Sequence, residues 1–235
     1  MAKKVNYTEL VKFINSRNCV LCCNLIGEEC TIEYQKGRLI RSETKKYNLP
    51  LAKADSINGI PIKIDCKQHI IIKGWLTTDT KLIKKYTKKN IKSAIDSYLK
   101  SKTDVTKEED TKTKQHIMFV ASELVDIEDY YEWYDEVSEE TFKTNNNSSY
   151  CNKLNLLDYL GFEVLPHSAI TSAIDKTEGR LQEIVGEIKQ TTNMRDRILD
   201  SFVMKYNDTP YVNMLKGKTK GLKITTIKFE FPFVI

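Results

Sequence analysis

The chain has 235 residues, 29% of them charged and 40% hydrophobic, with a formal net charge of +5 and six cysteines. That length and apolar share suffice for a sizeable core in one large or two small domains, while no apolar run of about 18 residues exists to cross a membrane as a helix. Nine glycines and five prolines leave little material for Gly-rich phosphate loops or dinucleotide fingerprints.

In chain order, Met1–Asn6 starts basic but is followed by no apolar run, which argues against secretion and for a cytoplasmic protein with reduced thiols. The spacing of Leu10, Phe13 and Ile14 predicts a short amphipathic helix over Tyr7–Ser16, with Asn6 and Glu9 as a capping-box pair. Cys19–Ile26 is a continuous apolar run that suits a buried strand. Cys30–Gln35 and Arg38–Arg41 flank Lys36-Gly37 as a hairpin, so a three-strand meander is expected. Ile60–Asp65 and His69–Lys73 read as two further strands or one bent one. Thr78-Asp79 opens a helix to about Leu99.

Residues 101–115 are polar and of mixed charge, the natural linker or mobile loop. The division expected is 1–100, β-rich with a lysine-rich helix, and 116–235, α/β with a long helix; one continuous domain is the other option. His116–Leu124 is another apolar strand, and Asp126–Thr141 reads as partly helical. Leu154–Leu160 is a helix stopped by Gly161 at its C-terminal cap, leading to a short strand at Phe162–Leu165. From Ile170 to Phe202, residues recurring at steps of four and three give one long, heptad-like helical stripe that Thr191–Asn193 can interrupt. Alternation through Ile227, Phe229, Phe231 and Phe233 predicts a C-terminal aromatic strand, with Pro232 marking an edge. The class is α+β: a β-meander-rich N-terminal half with a basic helix, and a helix-rich C-terminal half closed by that strand.

Charge is unevenly placed. Residues 1–122 carry 24 Lys and Arg against 13 Asp and Glu, whereas 123–235 carry 13 against 19. Lys81, Lys84, Lys85, Lys88, Lys89 and Lys92 cluster on one predicted helix with no acid among them. Such repulsion is relieved by an acidic partner or a phosphate backbone, or simply by water. Glu123–Glu140 holds nine acids and no Lys or Arg, with Tyr130, Tyr131, Trp133 and Tyr134 interleaved; aromatic anchors rimmed by charge suit a protein-binding surface. It can dock on the lysine face, within the molecule or on a second copy. Overall Lys, Asn and Ile usage also fits an AT-rich genome such as those of many bacteriophages.

Two constellations offer metal chemistry. Ala54-Asp55 and Ile64-Asp65-Cys66-Lys67, with nine residues between the two aspartates, resemble the motif of the PD-(D/E)XK nucleases. The resemblance implies that Asp55 and Asp65 hold Mg²⁺ or Mn²⁺ while Lys67 activates water. It spans about 15 residues, and Ala54 stands where the motif has proline. The i, i+2 spacing places Asp65 and Lys67 on one face if the segment is a strand. Cys19-x2-Cys22 with Cys66-x2-His69 has the residue types of a zinc site, but on a strand Cys19 and Cys22 face opposite ways and cannot share an ion. Three scattered histidines and the lack of nucleophile, Walker or zincin motifs argue against most enzyme classes. The sequence therefore points to a non-enzymatic binding or assembly subunit without a cofactor, with protein partners or self-association, nucleic acid as a further partner, and no membrane. A metal-dependent nuclease and a zinc-stabilised binding module are the alternatives.

Overall fold

The computed structural model describes residues 7–78, 88–101, 117–218 and 226–229. The α+β class holds: helices pack on antiparallel sheets, and the N-terminal half is rich in strands. The first helix, α1 (Tyr7–Ser16), buries Leu10, Phe13 and Ile14 along one side. Strand β1 (Cys19–Leu25) is buried at all seven positions, because it is flanked by β8 (His167–Ile170) and β9 (Leu199–Tyr206) on its two edges. A strand in that position needs an uninterrupted apolar run rather than alternation, and Cys-Val-Leu-Cys-Cys supplies it. With β10 (Thr226–Phe229) the first sheet has the order β10-β9-β1-β8.

The second sheet has the order β3-β2-β4-β5, from β2 (Glu28–Gln35), β3 (Arg38–Thr44), β4 (Ile70–Thr78) and β5 (Ile117–Ile127). Lys36 and Gly37 both take positive φ, 50° and 74°, the tight hairpin geometry that glycine favours. One face of this sheet buries Cys30, Ile32, Ile70, Ile72 and Leu76. It is covered by α3 (Lys88–Lys100), through Ile91, Ile95 and Tyr98, and by α4 (Tyr150–Tyr159), through Leu154, Leu156 and Leu157. The short α2 (Leu51–Asp55) closes the end of this core. A second core joins α1, β1 and β9 to α5 (Glu178–Met194), whose Leu181, Ile184, Val185 and Ile188 form its buried stripe. The last helix, α6 (Thr209–Lys218), follows β9.

Four expectations are corrected. Asp126–Thr141 is not helical; it is the end of β5 and a separate hairpin of β6 (Tyr130–Asp135) and β7 (Glu140–Asn145). The aromatic and β-branched residues there pair across strands, and Asp129 and Glu139 turn the chain at positive φ. The stripe from Ile170 to Phe202 divides into β8, α5 and β9. Thr177, whose side chain accepts from the Arg180 N–H, caps the helix, and Ile174 is exposed. Ile60–Asp65 makes only an isolated bridge, Lys63 to Arg38, with Gly59 at φ 81° setting the turn into it. Phe162–Leu165 contributes only a parallel bridge, Val164 to Ala121. The expected linker lies outside the described residues from 102 onward. On either side of it the chain interleaves: β4 pairs with β5, and β1 with β8 and β9.

Gly74 shows where the scarce glycines are spent. It lies opposite Ala121 in the β4–β5 pair, and a Cβ built there would stand 2.4 Å from the tip of the Phe119 ring and from the Val120 carbonyl oxygen. Gly74→Ala is expected to lower stability by about 2 kcal/mol through overpacking, read as an earlier denaturant midpoint; a midpoint unchanged from the parent would refute the close approach.

Candidate functional site

The outward face of the β2–β4 pair is polar because alternate residues of each strand leave the core. Glu29 lies opposite Trp75, and Thr31 opposite Lys73 on one side and Glu43 on the other. These residues, with Gly27, Glu28, Lys45 and Lys92, line a groove of about 480 Å³. Its three lysines come from three places: the turn after β3, strand β4, and helix α3. Glu29 stands 3.8 Å from Lys73 and Glu43 2.7 Å from Arg41. Among the described residues, Lys45 and Lys92 have no carboxylate partner. Trp75 is partly exposed at the groove and packs its remainder on the second core.

Of the lysine cluster, Lys81, Lys84 and Lys85 lie outside the described residues. Lys88 begins α3, and Lys89 and Lys92 are exposed on it. Farther along the helix Asp96 accepts from Lys100 at 2.7 Å and from the Tyr47 hydroxyl at 2.7 Å. The Lys100 ammonium and then Tyr47 hold its carboxyl down to about 2. Lys53, buried at the middle of α2, donates to both oxygens of Ser101 and lies over the Tyr98 ring, a structural role.

The acidic, aromatic segment divides by strand alternation. Trp133 is buried in the core, stacks on Phe142 and donates to the Thr144 hydroxyl. Tyr131 donates to the Asp65 carbonyl. Tyr130 and Tyr134 point outward, 43% and 49% exposed, with Lys143 over the Tyr130 ring. Among the described residues, no ion pair joins an α3 lysine to an acid of 123–140.

Asp55 ends α2, exposed, while Asp65 and Lys67 are exposed on the irregular segment before β4. Because that segment is not a strand, alternation no longer places Asp65 and Lys67 on one face. Cys19 and Cys22 sit buried on β1, whereas His69 bonds Glu33 at 2.7 Å and the Cys66 thiol donates to Gln68. Among the described residues, no three His, Cys, Asp or Glu side chains gather as a metal site.

A second cleft, of about 500 Å³, opens where β5, α4, β9 and α6 meet. Tyr150 is almost wholly buried beside it; its hydroxyl donates to the Ser122 carbonyl and accepts from Lys205 Nζ at 3.1 Å. Burial, then the neighbouring Cys22 and Glu123, push that hydroxyl well above its usual range. Neither this cleft nor the groove carries a sequence motif. The one sequence signal for the groove is the outward step of two from Lys73 to Trp75, legible only with β4 continued past Lys73.

No family model matches the chain, and no curated protein matches it. Among solved structures, a mycobacterial DNA ligase D complexed with ATP and MES is similar over 91% of this chain, at 9% identity and a TM-score of 0.42. The chain spans 55% of that ligase chain, and a likeness at this level gives no residue a role.

Burial pushes the Cys19, Cys23 and Cys30 thiols up to about 12 and Cys151 to about 11. The native protein should thus react slowly with a thiol reagent at pH 8, and fully once denatured. The raised folded values also fix the sign of the pH dependence. The contribution is intact below the unfolded thiol value near 9 and is lost as pH rises toward 12, because the unfolded chain ionises first. Rapid native labelling of most thiols, or stability that grows from pH 9 upward, would contradict this environment.

Proposed function

We propose that the chain acts by contact: it holds single-stranded nucleic acid along the lysine face of α3 and the Trp75 groove, and takes a protein partner on the outer face of the β6–β7 hairpin. The observation that carries the first part is the convergence of Lys45, Lys73 and Lys92, from three elements, around one partly exposed tryptophan. Lysines track a phosphate backbone, and stacking of a base on an aromatic ring contributes about 1–3 kcal/mol. Glu28, Glu29 and Glu43 make the groove mixed rather than uniformly basic. That suits unstacked bases, whose amino groups a carboxylate can accept from, better than the rim of a duplex. Beyond the groove, Lys81, Lys84, Lys85, Lys88 and Lys89 extend the same charge in the sequence. The near absence of arginine on that stretch argues against base-specific readout.

The hairpin reading is favoured by a separate observation. Its outer acids find no lysine of α3 among the described residues; Glu132 stands 3.7 Å from Lys143 of the same hairpin, whose ammonium lies over Tyr130, and the exposed Tyr134 ring is left for another protein or a second copy of this chain.

Titration of short labelled oligonucleotides, followed by anisotropy and by tryptophan emission, tests the reading. Single strands should bind more tightly than duplex and quench emission, since the only other tryptophan, Trp133, is buried. Trp75→Leu should weaken binding by about 1–3 kcal/mol, and Lys92→Glu should flatten the salt dependence by at least about 0.7 in slope. Absence of binding, or equal binding by both variants, would overturn it. Sedimentation at low and high salt, with Glu132→Lys, tests the hairpin; a salt-indifferent monomer that recruits no basic protein would remove that part.

A further inference from the structure

The cleft at Tyr150 presents two opposite charges that do not meet. Glu123, half-buried on β5, makes no hydrogen bond or ion pair among the described residues, although it lines the cleft together with Lys205. Lys205, half-buried on β9, lies within salt-bridge distance of no carboxylate there; its ammonium donates to the Tyr150 hydroxyl and sits 4.5 Å from that ring's centre. Tyr150 itself is fixed, since its hydroxyl also donates to the Ser122 carbonyl and its backbone N–H to the Asn207 carbonyl. The other charged pair in the cleft is tied down differently. The buried Lys153 donates to the Asn146 carbonyl at 2.7 Å, and the Asn146 amide holds the Asp126 carboxylate at 2.6 Å.

Half-buried charges in a concave site are costly unless something compensates them. Here Lys205 is held by the Tyr150 hydroxyl and Glu123 stands on β5 opposite Lys73, but neither has a counter-charge within 4.0 Å among the described residues. We propose that this cleft binds a small zwitterion, a free amino acid or short peptide, whose carboxylate meets Lys205 and whose ammonium meets Glu123. Formal charge selects this class. A dianion would face two carboxylates, and a plain cation two ammonium groups, in a site partly shielded from water. Size agrees, because about 500 Å³ lies within the range of small-molecule pockets. Leu124, Val125 and Val212 give an aliphatic side chain apolar wall to lie against. This site is separate from the Trp75 groove and stands or falls without the nucleic-acid reading.

Isothermal titration of the full chain with alanyl-leucine, its N-acetyl form, its C-terminal amide and inorganic phosphate decides the matter. The free dipeptide should bind, and each blocked form should bind about tenfold or more weakly, as loss of one charged hydrogen bond implies. The variants should match the blocks. Lys205→Met should no longer distinguish the amide from the free dipeptide, and Glu123→Gln should no longer distinguish the acetylated one. Lys205→Arg, which keeps the charge, should retain the discrimination and guards against a folding defect in Lys205→Met. No heat with the free dipeptide up to millimolar concentration, equal binding of the blocked forms, or tighter binding of phosphate would each overturn the assignment.

Discussion

The pairing of β5 with β4 is the constraint on which the rest of the molecule depends. β5 is shared by two cores: Phe119 and Ala121 enter the one beneath α3 and α4, while Val120 enters the one beneath α1 and α5. For that to happen β5 must lie close against β4, and Gly74 makes the approach possible by leaving room for the Phe119 ring. The register shifts of the pair, at Ile71/Ile72 and Lys73/Gly74, bend the ladder at the same place. Once β5 is set, its outward residues Glu123 and Asp126 are delivered to one cleft, and the outward Lys73 and Trp75 of its neighbour to another.

The two clefts differ in physical character. The Trp75 groove is an open sheet face whose charges sit on long, exposed side chains, so its attraction for a polyanion is long-ranged and screened by salt. The Tyr150 cleft is walled by four elements and held by short hydrogen bonds to a buried tyrosine. Its charges act over short distances, where water is partly excluded and orientation matters more than net charge. The two clefts share no lining residue, so the polymer and the small molecule proposed for them would not compete for side chains.

Several elements were legible in the sequence for physical reasons. Leu10, Phe13 and Ile14 recur at helical spacing, Lys36-Gly37 needs positive φ, and Cys19–Leu25 is apolar but for Asn24 because a central strand has no wet face. The hairpin at 130–145 was not legible as a hairpin. Its acids suggested a solvated helix, and the alternation of Tyr131 and Trp133 inward with Tyr130 and Tyr134 outward acquires meaning only once Phe142 and Tyr159 are seen to receive Trp133. Likewise the step-of-four pattern through Ile170 and Phe202 ignored that β1 needs a partner on each edge, a demand of the sheet and not of the local chain.

By itself the sequence determined the class, the placement of charge along the chain and the burial of Cys19 and Cys22 on a core strand, since these follow from composition and short-range periodicity. Only the tertiary structure decided which charges share a surface. Lys45, Lys73 and Lys92 are far apart in the chain, and Glu123 and Lys205 farther still. They line common clefts because strand register and helix packing bring their elements side by side, and no local pattern records that neighbourhood.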